Sequence, residues 1–121
     1  MKLSTLPKRL STLHPGRVQT LEAGQTPRPA GRAWQETRTR IAVRDRCICA
    51  KCGMLWRPSQ DMVDHITPRW AGGSDDDSNL WLLHADPCHV TKSAEEAAMR
   101  AAGAYVMPQW IADLLAARRR A

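Results

Sequence analysis

The chain of 121 residues contains no phenylalanine, one tyrosine and five tryptophans, so it is poor in the residues that fill large cores. Apolar burial alone is a weak basis for a fold of this size, and a structural metal is one of the staples small domains use instead. No apolar run approaches the roughly 20 residues needed to cross a bilayer. The opening MKLSTLPKRL also lacks the continuous apolar segment of a secretory signal. Both absences point to the cytosol and away from a membrane. There, four cysteines at 47, 49, 52 and 88 read as metal ligands before disulfides, and three of them fall within six residues, too close for a disulfide framework.

Charge is abundant and unevenly placed. The formal net charge is +6, which suits a polyanionic partner because each neutralised phosphate releases condensed counterions. Residues 1–46 carry ten Lys/Arg against three Asp/Glu, whereas residues 47–121 carry eight against nine. A basic segment is thus separate from the part that bears the chemistry. Residues 1–30 hold four of the eight prolines and no sustained apolar period, so they read as a basic, flexible arm bearing Lys2, Lys8, Arg9, Arg17 and Arg28. Residues 31–121 are the remaining domain.

Within that domain the pattern predicts a first helix over 31–45, with Trp34, Ile41 and the stems of Arg38 and Arg44 on one face and its arginines exposed towards phosphate. Met62–Ile66 and Leu80–Leu83 read as two short strands of an irregular hairpin. The intervening AGGSDDDSN is a loop, whose three aspartates are expected to be exposed or metal-bound. A helix follows Cys88, capped by Thr91 or Ser93 and ended by Gly103, and a last helix starts at Pro108. The class is α+β.

Cys49 and Cys52, followed by Gly53, form a two-ligand turn, since two thiolates three residues apart can bind one tetrahedral ion. His84 and Cys88 supply the remaining pair, giving a Cys3His zinc site that ties together segments about forty residues apart. Cys47 could replace Cys49, but the two-residue gap from Cys49 to Cys52 is the commoner geometry, which leaves Cys47 as packing. A second group comprises Asp64, His65, Asn79 and His89. Phosphodiester hydrolysis needs a base for water, a divalent ion for the charge on phosphate and leaving oxygen, and a group that holds the base. Asp64 and His89 are suitable ion ligands, His65 is a suitable base, and Asn79 can hold a neighbouring backbone or imidazole.

These residues stand in an ordered series: Arg44-Asp45, Cys49-Ala-Lys-Cys52-Gly53, Val63-Asp64-His65-Ile66-x-Pro68, Gly72-Gly73-Ser74-Asp75 with Asn79-Leu80, then Cys88-His89-x-x-Lys92-Ser93. Over roughly residues 31 to 102 the chain resembles the zinc-bearing branch of the HNH endonucleases. The resemblance implies a ββα-metal core with a structural zinc site and flanking helices. It implies His65, Asn79 and His89 as the three motif residues, with His65 as general base, Asp64 and His89 holding the catalytic ion, and Asn79 organising the loop. Arg38, Arg40, Arg44, Arg69 and Lys92 are the candidate phosphate contacts. The implied cofactors are a structural Zn2+ and a catalytic Mg2+, Mn2+, Ni2+ or Zn2+, and the implied partner is DNA. The stretch AWQETRTR is further similar to small phage-encoded members that act with DNA-packaging proteins. One departure stands out: His84 takes the place of the family's usual cysteine, and three residues instead of two separate it from Cys88. A non-catalytic zinc-dependent DNA-binding module is the alternative; it would have no use for Asp64 beside His89.

Overall fold

The run Leu80-Trp81-Leu82-Leu83 has no polar face, which in a strand means that both sides must be covered. The computed structural model, which describes residues 30–120, shows this arrangement. Strand β1 (Met62–His65) pairs antiparallel with β2 (Leu80–Leu83), in the register Met62 to Leu83, Val63 to Leu82, Asp64 to Trp81 and His65 to Leu80. All four β2 side chains are buried. Leu80 and Leu82 join Val63, Trp56 and Ile41 on one side, while Trp81 and Leu83 join Cys49, Ile66, Cys88 and Ile111 on the other. Fully burying a Leu or Ile side chain stabilises by about 1.5–3 kcal/mol, so β2 is the centre of a small two-sided core.

Helix α1 (Gly31–Arg44) covers the first side through Ile41, with Trp34 and Ala42 beside it. Its arginines do not all point to solvent as expected. Arg44 donates to the carbonyls of Asp77 and Leu80, and Arg40 makes two hydrogen bonds to the Asp77 carboxylate at 3.0 and 3.1 Å. The helix is thereby clipped to the chain that enters β2. Arg38 donates to the Pro58 carbonyl at 2.8 Å and lies over the Trp56 ring.

After α1 the backbone turns through Arg46 and Cys47, both at positive φ, a conformation uncommon for residues with a side chain. It then forms a tight knuckle closed by the Ile48–Leu55 bridge and by Gly53 N–H donating to Cys49 O at 3.0 Å. Ala50 N–H donates to Leu82 O at 2.8 Å, fastening the knuckle to β2.

Helix α2 (Val90–Ala102) packs near β1 and ends at Gly103, which takes the left-handed conformation that glycine tolerates best. Thr91 and Ser93 do not cap it. The helix continues directly from an irregular turn over Ala85–His89, so His89 occupies the cap position already in helical geometry and no side chain is needed there. Helix α3 (Gln109–Arg120) follows Pro108, as the sequence predicts, and buries Ile111. Trp110 stacks on Trp81 with ring centroids 6.0 Å apart, and its indole N–H donates to Glu95. Arg118 pairs with Asp45, just after α1, at 2.9 Å. No helix among the described residues is long and apolar enough to cross a membrane. The basic arm expected at 1–30 lies, apart from Ala30, outside the described residues.

Candidate metal and catalytic centre

The knuckle and the end of β2 bring four ligand side chains together. The Sγ atoms of Cys49, Cys52 and Cys88 and one ring nitrogen of His84 all lie within 4.8 Å of one another. Ligands about 2.3 Å from a tetrahedral zinc stand about 3.8 Å apart, so the cluster has the donor set and the scale for such an ion. It could hold zinc. The extra residue between His84 and Cys88 is absorbed by the wide Ala85–His89 turn, in which Asp86 is extended, so Pro87 does not carry His84 away. His84 points Nδ1 at Cys52 Sγ, 3.1 Å away, while Nε2 faces the Leu55 carbonyl. This is the usual way a ligating imidazole has its tautomer and orientation fixed by its second nitrogen. Cys47 is packed instead against the Ile41–Trp56 cluster.

Burial, reinforced by the Cys49 and Cys52 thiols, pushes the pKa of the Cys88 thiol up to about 12. Burial also pushes Cys49 upward, but hydrogen bonds from the backbone of Cys52, His84 and Lys51 outweigh it and lower its pKa overall. Behind the cluster sits Asp61, 3% exposed, which the sequence reading did not single out. Its carboxylate accepts from the Arg57 backbone and guanidinium and from Ala85 N–H at 3.0 Å, and it stands 3.9 Å from His84 Nε2. The side-chain bond from Arg57, against the opposing effect of burial, holds its pKa well below the ordinary carboxylate range. It braces the knuckle against the turn that carries His84.

The other four candidates lie around β1 and the start of α2. Asp64 accepts from Lys92 Nζ at 2.8 Å and from the Trp81 indole N–H at 3.2 Å, both through Oδ2. Its Oδ1 faces His89 Nε2 at 3.6 Å, beyond hydrogen-bond reach. Two donors each about 2.1 Å from one cation lie roughly 3.0–3.5 Å apart, and the 3.6 Å separation of this oxygen and nitrogen is close to that of two ligands of one divalent ion. Ser93 Oγ is 3.4 Å from the same His89 nitrogen.

His65 turns to the loop between the strands, with Nε2 2.7 Å from Asp75 Oδ1. Asn79 stitches that loop. Its Oδ1 accepts from Thr67 N–H at 2.9 Å, and its Nδ2 donates to the carbonyls of Thr67 and Ser74 at 3.0 and 2.8 Å. The segments pass so closely that a Cβ on Gly73 would lie 1.8 Å from the Thr67 carbonyl oxygen. None of Asp75, Asp76 and Asp77 needs a metal to account for it: Asp75 also meets Arg69 at 3.3 Å, Asp77 meets Arg40, and Asp76 starts the short turn Asp77–Asn79.

Lys92 requires a correction. The side chain expected to reach phosphate is 1% exposed, and its ammonium is spent inside the protein on Asp64, the His65 carbonyl and Glu96. Glu96 is itself raised in pKa, first by burial, with Lys92 pulling the other way. The spacing of Lys92 and Glu96, four residues apart on a helix, was the one signal that could have revealed the pair. Among the remaining basic candidates, Arg40 stays half exposed, and Arg69 is turned towards Asp75. A cleft of about 520 Å³ lined by Arg38, Val43, Cys47 and Trp56 contains none of the catalytic or zinc candidates.

The structure therefore defines a small α+β domain with two groups of ligand-type side chains, one of three cysteines and a histidine, the other of Asp64 and His89, with His65 the next residue of β1 and its ring turned to Asp75. Residues 49–95 match the family model of the HNH endonucleases. No curated protein and no solved structure matches the chain.

Proposed function

We propose that this chain is a metal-dependent HNH endonuclease that hydrolyses DNA phosphodiester bonds. The observation that carries the reading is the opposition of Asp64 Oδ1 and His89 Nε2, with the other Asp64 oxygen already occupied by Lys92 and Trp81. A binding module has no need of a carboxylate oxygen and an imidazole nitrogen held face to face. Asp64 and His89 would hold a divalent cation, which neutralises charge on the phosphate and on the departing oxygen. His65 takes a proton from water, the water oxygen attacks phosphorus in line, and the bond to the 3′ oxygen breaks. The departing 3′ oxygen gains a proton from solvent, leaving 5′-phosphate and 3′-hydroxyl ends.

Cys49, Cys52, His84 and Cys88 hold a structural zinc in this reading. Residues 31–121 form the nuclease domain and 1–30 a basic arm that adds phosphate affinity, with Arg38, Arg40, Arg44 and Arg69 as further candidate contacts. The similarity of AWQETRTR to phage-encoded members supports a protein of the host cytoplasm that works with DNA-packaging proteins.

The test is plasmid nicking with magnesium or manganese, and with EDTA. His65→Ala should abolish nicking while zinc content and folding persist, and His89→Ala should lose activity that added manganese partly restores. Near-wild-type nicking by His65→Ala would remove His65 from the mechanism. Metal-independent DNA binding with no nicking by the wild-type chain would favour the non-catalytic module.

A further inference from the structure

We infer that Asp75 is a positioning residue for His65, fixing which imidazole nitrogen is left to take the proton. The inference rests on the proposed role of His65 as base and concerns the same site. An ionised carboxylate can only accept hydrogen bonds. At 2.7 Å from Asp75 Oδ1, His65 Nε2 must therefore carry the hydrogen. In the neutral ring Nδ1 then holds the lone pair, and it has no hydrogen-bond partner among the described residues. A general base needs one unprotonated nitrogen aimed at its water, and the hydrogen bond at the other nitrogen selects the tautomer that provides it.

The surrounding contacts hold Asp75 in place against His65. Arg69 Nε lies 3.3 Å from the same carboxylate oxygen. Asn79 Nδ2 fixes the carbonyl of the preceding residue, Ser74, at 2.8 Å, and the close approach at Gly73 admits no side chain. The base is anchored at both ends: its backbone carbonyl receives Lys92 Nζ at 2.8 Å, and its ring receives Asp75. Asn79 thus acts on the base at one remove, through the loop that presents Asp75.

The experiment compares the full-length chain with Asp75→Ala, Asp75→Asn and His65→Ala, using plasmid nicking at saturating manganese and nitrogen-15 NMR of the histidine rings in their neutral form. Asp75→Ala should lower kcat roughly 10- to 100-fold, by analogy with losing the hydrogen-bond partner of a metal-ligating imidazole, with KM changed less than about twofold. The His65 signals should shift from the pure Nε2–H form towards a mixture of tautomers. Asp75→Asn, whose Oδ1 can still accept from Nε2–H, should keep the larger part of the rate and the Nε2–H signature. An unchanged kcat and tautomer in Asp75→Ala would overturn the inference while leaving His65 as base. An Asp75→Ala protein with normal kcat but a raised manganese requirement would place Asp75 among the ion's ligands instead. Undiminished nicking by His65→Ala would bring down the inference together with the reading beneath it.

Discussion

Lys92 places its ammonium 2.8 Å from the Asp64 carboxylate at a position 1% exposed to solvent. A buried ion pair is a poor source of net stability, but removing one partner is costly because it strands the other charge. Here the stranded groups would be Asp64 and Glu96, and the freed acceptor the His65 carbonyl. Lys92→Met is therefore expected to lower unfolding free energy by about 3 kcal/mol and to abolish nicking by releasing Asp64. In the Lys92→Met/Glu96→Gln double variant part of the stability should return without the activity. Urea titrations of both proteins check this, and additive losses would show that Glu96 is not coupled to Lys92.

Gly73→Ala should damage the loop and spare the zinc site. Its Cβ would meet the Thr67 carbonyl oxygen and the Asn79 amide, and backbone at that distance can yield only by moving the segment that carries Ser74 and Asp75. Overpacking of this kind costs about 1–3 kcal/mol. Nicking should fall steeply with zinc stoichiometry unchanged, and crystals or amide spectra of the variant should show displacement confined to residues 67–79. Full activity would mean that the loop's path is not needed for catalysis.

Asp61 gives the domain a specific sensitivity to acid. Its carboxyl has a folded-state pKa well below its unfolded value, chiefly through the Arg57 side chain. A depressed carboxylate contributes stability in full above the unfolded value of about 3.9. That contribution is lost as the pH falls through and below this range. Asp61→Asn should therefore be less stable than the parent at neutral pH, by about 1–3 kcal/mol for disturbed buried hydrogen bonds, with the gap closing below about pH 4. Thermal melts from pH 7 to pH 3 measure it, and a constant gap would mean that the charge of Asp61 contributes nothing.

Much of this arrangement was legible because it depends on local pattern. The all-apolar Leu80–Leu83 run, the Cys49–Cys52 turn with Gly53, and Pro108 before α3 each carry their own physical signature, and all three elements appear where the residues put them. The unread part lies in long-range polar pairing, for which a single chain gives no periodic signal. Asp75 reads from the sequence as one of three aspartates that are either exposed or metal-bound, and only its place in the folded loop sets it against His65 and Arg69. Lys92 looked like a surface cation because lysine usually is one; its burial follows from two carboxylates that converge on it from β1 and from its own helix. Asp61, between the knuckle and the Ala85–His89 turn, had no motif to mark it at all.

The zinc cluster yields the prediction with the sharpest consequences. Cys49 and Cys52 sit on the knuckle, whereas His84 and Cys88 flank the turn that leads into α2. An ion held by all four would cross-link the two sides of a core that contains few large apolar residues. Zinc-binding energy then becomes folding energy, on the order of 10 kcal/mol or more in zinc-finger peptides, and chelation should unfold the domain instead of merely inhibiting it. Cys52→Ser and Cys88→Ser should lose both the metal and the cooperative melt. Cys47→Ser should keep both, because Cys47 packs against the Ile41–Trp56 cluster and not with the other three thiols. His84→Ala is the decisive variant, since its Nδ1 lies 3.1 Å from Cys52 Sγ while Nε2 faces the Leu55 carbonyl. It should bind zinc substoichiometrically and melt at a lower temperature. One zinc per chain with an unchanged melting temperature would remove His84 from the shell and leave the three cysteines to hold the ion with water.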